Sequence, residues 1–281
     1  MVGMSPQTEE VEGGYRFLSA VLFLLIALPL AGYAVIPDNY YVYLLSYPPR
    51  ILLVPIHELG HMLLIFFKDV SGLPYDYLDI PVRMAGSIFE MLVPLMFVFF
   101  FIFGSRRYAL ACLILVIAGT AITDSGAYIK SASNPSGIGF NQFMETTEVN
   151  SSNHDWYRVL DYYNALDKAD FLGELIMGLG FVLTMIGFFS SVFEVNLILN
   201  YRQSSDFMLL ILYGSIPAAI LSIAYFKIFR VVFSILIPIP LLIHFYTRIL
   251  PKLKDEVKEV DREIEKDEEN AAKSVQTPKA Q

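Results

Sequence analysis

The sequence predicts an all-α, polytopic integral membrane helix bundle of about seven transmembrane helices with a short charged cytosolic tail. Three observations predict it. Of the 281 residues, 55% are hydrophobic and only 17% charged, against about 25% charge and about 45–50% apolar content in soluble domains. The charge is also uneven: 16 of the 48 charged residues (20 basic, 28 acidic) fall in the last 31 positions. Finally, apolar stretches near the length that crosses a bilayer, about 17–25 residues, recur seven times, at 17–36, 51–67, 87–103, 108–129, 171–195, 207–225 and 228–250. Lipid offers backbone groups no hydrogen-bond partner, so each stretch must be helical. This pattern excludes a disordered chain, a nucleic-acid binder and an ordinary soluble enzyme. The net charge of −8 divides into −6 before Pro251 and −2 after it, with no dense basic patch for nucleic acid or acidic lipid.

The first stretch follows an acidic segment (Glu9, Glu10, Glu12) and is long, so it reads as a retained helix and not a signal peptide. The second and third are short, as suits helices buried among neighbours. Between them, residues 68–86 hold Gly72, Pro74 and Pro81 and predict an irregular or re-entrant loop. The fourth stretch carries the only cysteine, Cys112, which reads as small apolar packing. The longest connection runs over about 130–170. In it Trp156, Val159, Leu160, Tyr163 and Leu166 repeat at helical spacing, which predicts a short amphipathic helix at the membrane surface. The sequon at Asn150 carries no weight, because such matches are frequent by chance.

Residues 1–250 thus read as one membrane-embedded domain and 251–281 as a charged tail, helical and then disordered. Leu253, Val257, Val260 and Ile264 share one stripe of that tail, either continuing the last span or offering a seam for homo-oligomers. Arg248, Lys252, Lys254 and Lys258 place the C-terminus in the cytoplasm, Arg106 and Arg107 place the turn after the third span there, and the N-terminus is then outside. The chain is expected in the cell membrane as a multi-pass protein.

The chemistry concentrates in Val54-Pro55-Ile56-His57-Glu58-Leu59-Gly60-His61-Met62, within the second stretch. Residues four apart share a helix face, so His57 and His61 can both aim a ring nitrogen at one metal ion. Glu58 sits about 100° around the helix from His57, in reach of a water on that metal. This is the His-Glu-x-x-His zinc arrangement, and a chain of this composition matches it by chance on the order of 0.003 times. Two imidazoles and a carboxylate in an apolar span are functional by default. Pro55 and Gly60 either open the helix to a substrate or serve helix packing.

Catalytic zinc usually takes a third protein ligand, and Asp124 is the leading candidate. It lies inside the fourth stretch beside the small residues Thr120, Ala121 and Ala127, where coordination would neutralise an otherwise expensive carboxylate. Glu90, next to Pro94, is a ligand, a polar link between helices or, preferably, a partner to a zinc-bound histidine. His154 and Asp155 either cap a helix in solvent or approach the metal from the water side, which keeps Glu90 and His154 open as third ligands. His244 reads as a helix-packing histidine, and Glu174 and Glu194 as interfacial.

On these residues the chain resembles the integral-membrane zinc metalloproteases of the site-2 protease clan. The resemblance is carried by His57-Glu58-Leu59-Gly60-His61, then Gly86-Ser87-Ile88-Phe89-Glu90-Met91-Leu92-Val93-Pro94, Asp124 and the His154-Asp155-Trp156 loop, together spanning about residues 51–170. It is similar above all to a branch of membrane metalloproteases in which those four features follow in that order. The resemblance implies a zinc-dependent intramembrane metallopeptidase, with Zn2+ on His57, His61 and Asp124, Glu58 as base, and a membrane-protein substrate met within the lipid bilayer. Here Asp124 is followed by Ser125-Gly126 and lacks the Asn-Pro-x-Gly or Leu-Asp-Gly setting of the better-known members. The alternative is a non-proteolytic multi-pass protein that keeps the metal site for structure or for metal or solute transport, a role that intramembrane carboxylates also suit.

Overall fold

The computed structural model describes residues 18, 21–36, 40–71, 75–104, 107–134, 154–199 and 207–224, with isolated positions between 233 and 251. The regular elements among the described residues are helical, without a strand. A π turn, Phe23–Ala27, leads into α1 (Leu28–Val35). There follow α2 (Tyr40–Ile51), α3 (Val54–Ser71), α4 (Tyr75–Phe99), a π turn at Phe100–Gly104, α5 (Tyr108–Ser131), α6 (Asp155–Tyr162), α7 (Ala169–Leu199) and α8 (Phe207–Ala224). The chain divides into two compact units, Met1–Leu236 and Ile237–Gln281, and these helices belong to the first.

Three helical segments are long and apolar enough to cross a membrane: Asp79–Gly104, Tyr108–Ser131 and Leu166–Val195. A fourth arises if α2 and α3, bent by 43° at a short break, form one span. Pro48 and Pro49 lie inside α2 just before that break, where each missing N–H removes a helical hydrogen bond, and Pro55 stands in the first turn of α3, where no such bond is lost. The expected count of seven is therefore not reached among the described residues. The first and sixth stretches hold only shorter apolar helices, Leu25–Val35 and Phe207–Ser222. The seventh stretch apart from isolated positions, His244, Asn150 and the tail stripe Leu253–Ile264 lie outside the described residues.

The segment expected as a loop over 68–86 is helical at both ends, since α3 runs to Ser71 and α4 begins at Tyr75. Pro81 sits inside α4. Two bonds hold that turn in place of the one proline removes. Arg83 Nε donates to Asp79 Oδ2 one turn back, and the Val82 carbonyl accepts from α3.

The bundle is built around α5 and α7. Gly119 and Gly126 of α5 meet Thr184 and Met177 of α7, while Gly180 and Gly173 of α7 meet Thr123 and Lys130 of α5. A side-chain carbon at any of these glycines would overlap the facing helix, so hydrogen at these positions is what lets the two backbones approach. Burial consequently runs nearly all round α5, with Cys112, Val116, Ala118 and Ala121 inside, and Cys112 is the packed apolar residue expected of it. By contrast α3 lies at the edge, antiparallel to α4, and leaves Leu59, Met62, Phe66 and Val70 exposed. Apolar side chains exposed along a helix this hydrophobic suit contact with lipid.

The amphipathic helix expected around Trp156 is α6. Its apolar face does not lie on lipid. Trp156, Val159 and Leu160 pack against Ile80 of α4, Tyr128, Ile129 and Ala132 at the end of α5, and Ala169 of α7. Tyr163 falls just beyond the helix and is exposed.

If the glycine seam holds α5 to α7, Gly119→Ala and Gly180→Ala will each lower the thermal midpoint of the detergent-solubilised protein by several degrees. Gly32→Ala, whose added carbon meets only Val42 Cγ1 at 3.4 Å, will change it little. Equal midpoints for all three variants would argue against the seam.

Candidate metal centre

One face of α4, read at four-residue spacing, organises the site. Val82, Gly86 and Glu90 succeed one another along it, with Arg83 and Ser87 beside them. The α3 helix reaches this face because Gly60 lies against the Ala85 carbonyl, where any side chain would collide with backbone. That close approach gives Gly60 a packing role. It sets His57 and His61, one turn apart, over the α4 residues that hold them.

Each imidazole is fixed through Nδ1. His57 Nδ1–H donates to Glu90 Oε2 at 2.9 Å, and His61 Nδ1–H donates to the Val82 carbonyl at 2.7 Å. With Nδ1 carrying the proton, both Nε2 atoms keep a lone pair, and this tautomer is the one in which a histidine serves a metal through Nε2. Both Nε2 atoms point to the space over Gly86. A carbon added there would strike the two at once.

The third group comes from α6. Asp155 Oδ2 lies 3.5 Å from His61 Nε2, and ligand atoms of His57, His61 and Asp155 all lie within 4.8 Å of one another. Ligands about 2.0–2.1 Å from a tetrahedral zinc stand roughly 3.4 Å apart, so the His61–Asp155 separation fits such an ion without rearrangement. Two imidazoles and one carboxylate also form a donor set familiar in catalytic zinc sites.

The His154-Asp155-Trp156 sequence explains how Asp155 arrives. His154 is the N-cap of α6: its Nδ1 accepts the Tyr157 N–H at 3.2 Å, while Nε2–H faces Ser131 Oγ at 2.9 Å. Its ring stacks on Tyr128, with centroids 4.4 Å apart. Burial pushes its pKa down to about 4, which keeps it neutral and able to accept at Nδ1. The Asp155 N–H donates to Tyr128 Oη at 3.2 Å, and Trp156 Nε1–H donates to Ser87 Oγ at 3.0 Å. Burial raises the Asp155 carboxyl above its ordinary pKa, while His61 and then Arg83 pull it back. A cation at the centre would favour its ionised form further.

Asp124 stands elsewhere. It is buried in α5 with Tyr33 Oη donating to Oδ1 at 3.0 Å and Arg50 Nε donating to Oδ2 at 2.8 Å. The Arg50 guanidinium also lies over the Tyr33 ring, 4.2 Å from its centroid. The carboxylate expected to complete the metal set is thus engaged by a counter-ion from α2, and Asp155 takes the place by the histidines. Glu90 has the expected role of partner to His57. His154 caps a helix and is not among the three. Glu58 is exposed on α3 beside His57. Of the two acids expected at the interface, Glu174 pairs with Lys130, whereas Glu194 is buried.

Arg50, Tyr33 and Arg83 are the participants that the sequence reading passed over. An arginine at residue 50, amid an apolar region that holds an acid at 124, was the available signal, since buried charges are paired. Compared with known proteins, the chain matches no family model, no curated protein and no solved structure.

If Gly86 is the space into which both Nε2 atoms turn, Gly86→Ala will weaken zinc binding by about 10-fold or more while the far-UV circular dichroism stays unchanged. Undiminished zinc affinity in this variant would contradict the geometry.

Proposed function

We propose that this chain is a zinc-dependent intramembrane metalloendopeptidase that hydrolyses a peptide bond in membrane-spanning substrates. The observation that carries the reading is the convergence of His57 Nε2, His61 Nε2 and Asp155 Oδ2 with both Nδ1 atoms tied back to α4. A scattered set of polar residues would have no reason to share one target and one tautomer. Bound by these three side chains, zinc would polarise the scissile carbonyl and acidify a water molecule.

The chain's own groups account for the remaining steps. The Glu58 carboxylate follows His57 on α3 and takes the proton from the attacking water, then returns it to the nitrogen of the leaving amine. Glu90 and the Val82 carbonyl hold the imidazoles still, so no reorientation is needed as charge develops. Tyr128, with its ring centroid 6.3 Å from that of His57, walls the site on the α5 side.

Depth supports a membrane substrate. Gly86 lies seven residues inside the span that starts at Asp79, or roughly 10 Å at 1.5 Å per residue. The flanks of Glu58 are apolar, since Leu59 and Met62 are exposed, as suits a substrate that arrives from lipid. A substrate helix shields its own carbonyls, so the segment that is cut must unwind near this end of the bundle.

Glu58→Gln will retain zinc and lose cleavage of a membrane-spanning reporter in proteoliposomes by about 100-fold or more, read by mass spectrometry of the products. A zinc-loaded Glu58→Gln protein that cleaves at the normal rate would refute the proposal, and a metal carrier would tolerate the change.

A further inference from the structure

Arg83 divides the two oxygens of Asp155. Its Nη1 donates to Asp155 Oδ1 at 3.2 Å, while Asp155 Oδ2 is the oxygen turned to His61 Nε2 at 3.5 Å. The guanidinium is itself oriented from one turn back on α4, where Nε donates to Asp79 Oδ2 at 3.1 Å. A planar fork held at one edge presents its other edge in a fixed direction, which a lysine ammonium on a flexible stem does not do.

The consequence concerns coordination number. A carboxylate free at both oxygens can bind an ion through two atoms, the mode that suits larger cations with six to eight ligands at about 2.3–2.6 Å. A carboxylate with one oxygen already accepting from arginine offers a single atom, as tetrahedral zinc requires. The two imidazoles are likewise single-atom ligands and are fixed from behind. We propose that Arg83 is the positioning residue that restricts Asp155 to one-oxygen coordination and so selects a small, four-coordinate metal ion. This rests on the reading of His57, His61 and Asp155 as a metal centre. It also gives Arg83 a task other than binding substrate, because its Nε and Nη1 edges are engaged with Asp79 and Asp155.

The test uses the full chain in detergent, stripped and reloaded with Co2+ as a spectroscopic stand-in for zinc, with Zn2+ and Cd2+ affinities measured beside it. The wild type should show the intense visible absorption of four-coordinate cobalt. Arg83→Gln should lose most of that intensity as Asp155 swings to two-oxygen binding, and its preference for Zn2+ over Cd2+ should fall by about tenfold. Arg83→Lys should not restore the wild-type spectrum. Asp79→Asn loosens the guanidinium from a half-exposed position away from the metal ligands, and should move spectrum and preference part of the way in the same direction.

An unchanged cobalt spectrum in Arg83→Gln, or a loss of affinity equal for all metals, would overturn the proposal while leaving the metal centre standing. Should Arg83→Gln bind nothing, Asp79→Asn decides: a wild-type spectrum there also overturns it. A wild-type chain that binds no cobalt, zinc or cadmium would instead remove the metal centre itself, and the role of Arg83 with it.

Discussion

The contact between α3 and one face of α4 is the constraint on which the rest depends. Gly60 has no side chain, so α3 settles on the Ala85 carbonyl, and that approach sets the register of the whole pair. Once it is made, His57 stands opposite Glu90 and His61 opposite Val82. Gly86, between those two anchors, supplies the space into which the Nε2 atoms turn. The same face of α4 then recruits α6, through Ser87 to Trp156 and Arg83 to Asp155. Five consecutive functions thus follow from positions 82, 83, 86, 87 and 90 of one helix, because a period of 3.6 residues returns them to the same side.

Polar groups buried among apolar helices demand partners, and two networks of them stand out among the described residues. One gathers His57, His61, Glu90, Asp155 and Arg83 around the candidate centre. The other joins Tyr33 of α1, Arg50 of α2 and Asp124 of α5, with Arg50 paired to Asp124 at 2.8 Å. An isolated arginine or aspartate in an apolar bundle is costly, whereas a hydrogen-bonded pair largely compensates itself. The second network fastens the end of α2 to the central helix just before the chain bends by 43° into α3. It therefore fixes where the helix that carries His57 and His61 starts, without any of its members joining the candidate centre.

How much of this was legible in the sequence follows the range of each interaction. The helical class and the three helices long and apolar enough to cross a membrane were legible, because the length of an apolar stretch shows in composition alone, whereas the count of seven is not reached among the described residues. His57 and His61 were legible because a four-residue spacing acts within one helix. Glu90 was foreseen as a histidine's partner from its place in an apolar run. The placement of Asp155 beside the histidines, and of Asp124 beside Arg50, was not, since it depends on the rotation of α5 about its axis and the docking of α6. Both are tertiary facts, and Arg50, some seventy positions before Asp124, settled the first. Gly72 and Pro74 lie outside the described residues, whereas Pro81, which also suggested a loop, sits inside α4, where the tertiary bonds of the Val82 carbonyl to His61 and of Arg83 to Asp155 accompany a helix that the local signal of proline did not predict. The helix at Trp156 was anticipated, yet its apolar face found protein and not lipid.

The central claim is that three side chains, one of them from α6, form a single metal centre, while Asp124 serves a different network. Zinc per chain in the purified protein, measured beside Asp155→Ala and Asp124→Ala, tests it most directly. The account predicts about one zinc in the wild type, its loss in Asp155→Ala, and its retention in every Asp124→Ala molecule that remains folded. Zinc kept in Asp155→Ala but lost from a folded Asp124→Ala protein would contradict it and return the third ligand to α5.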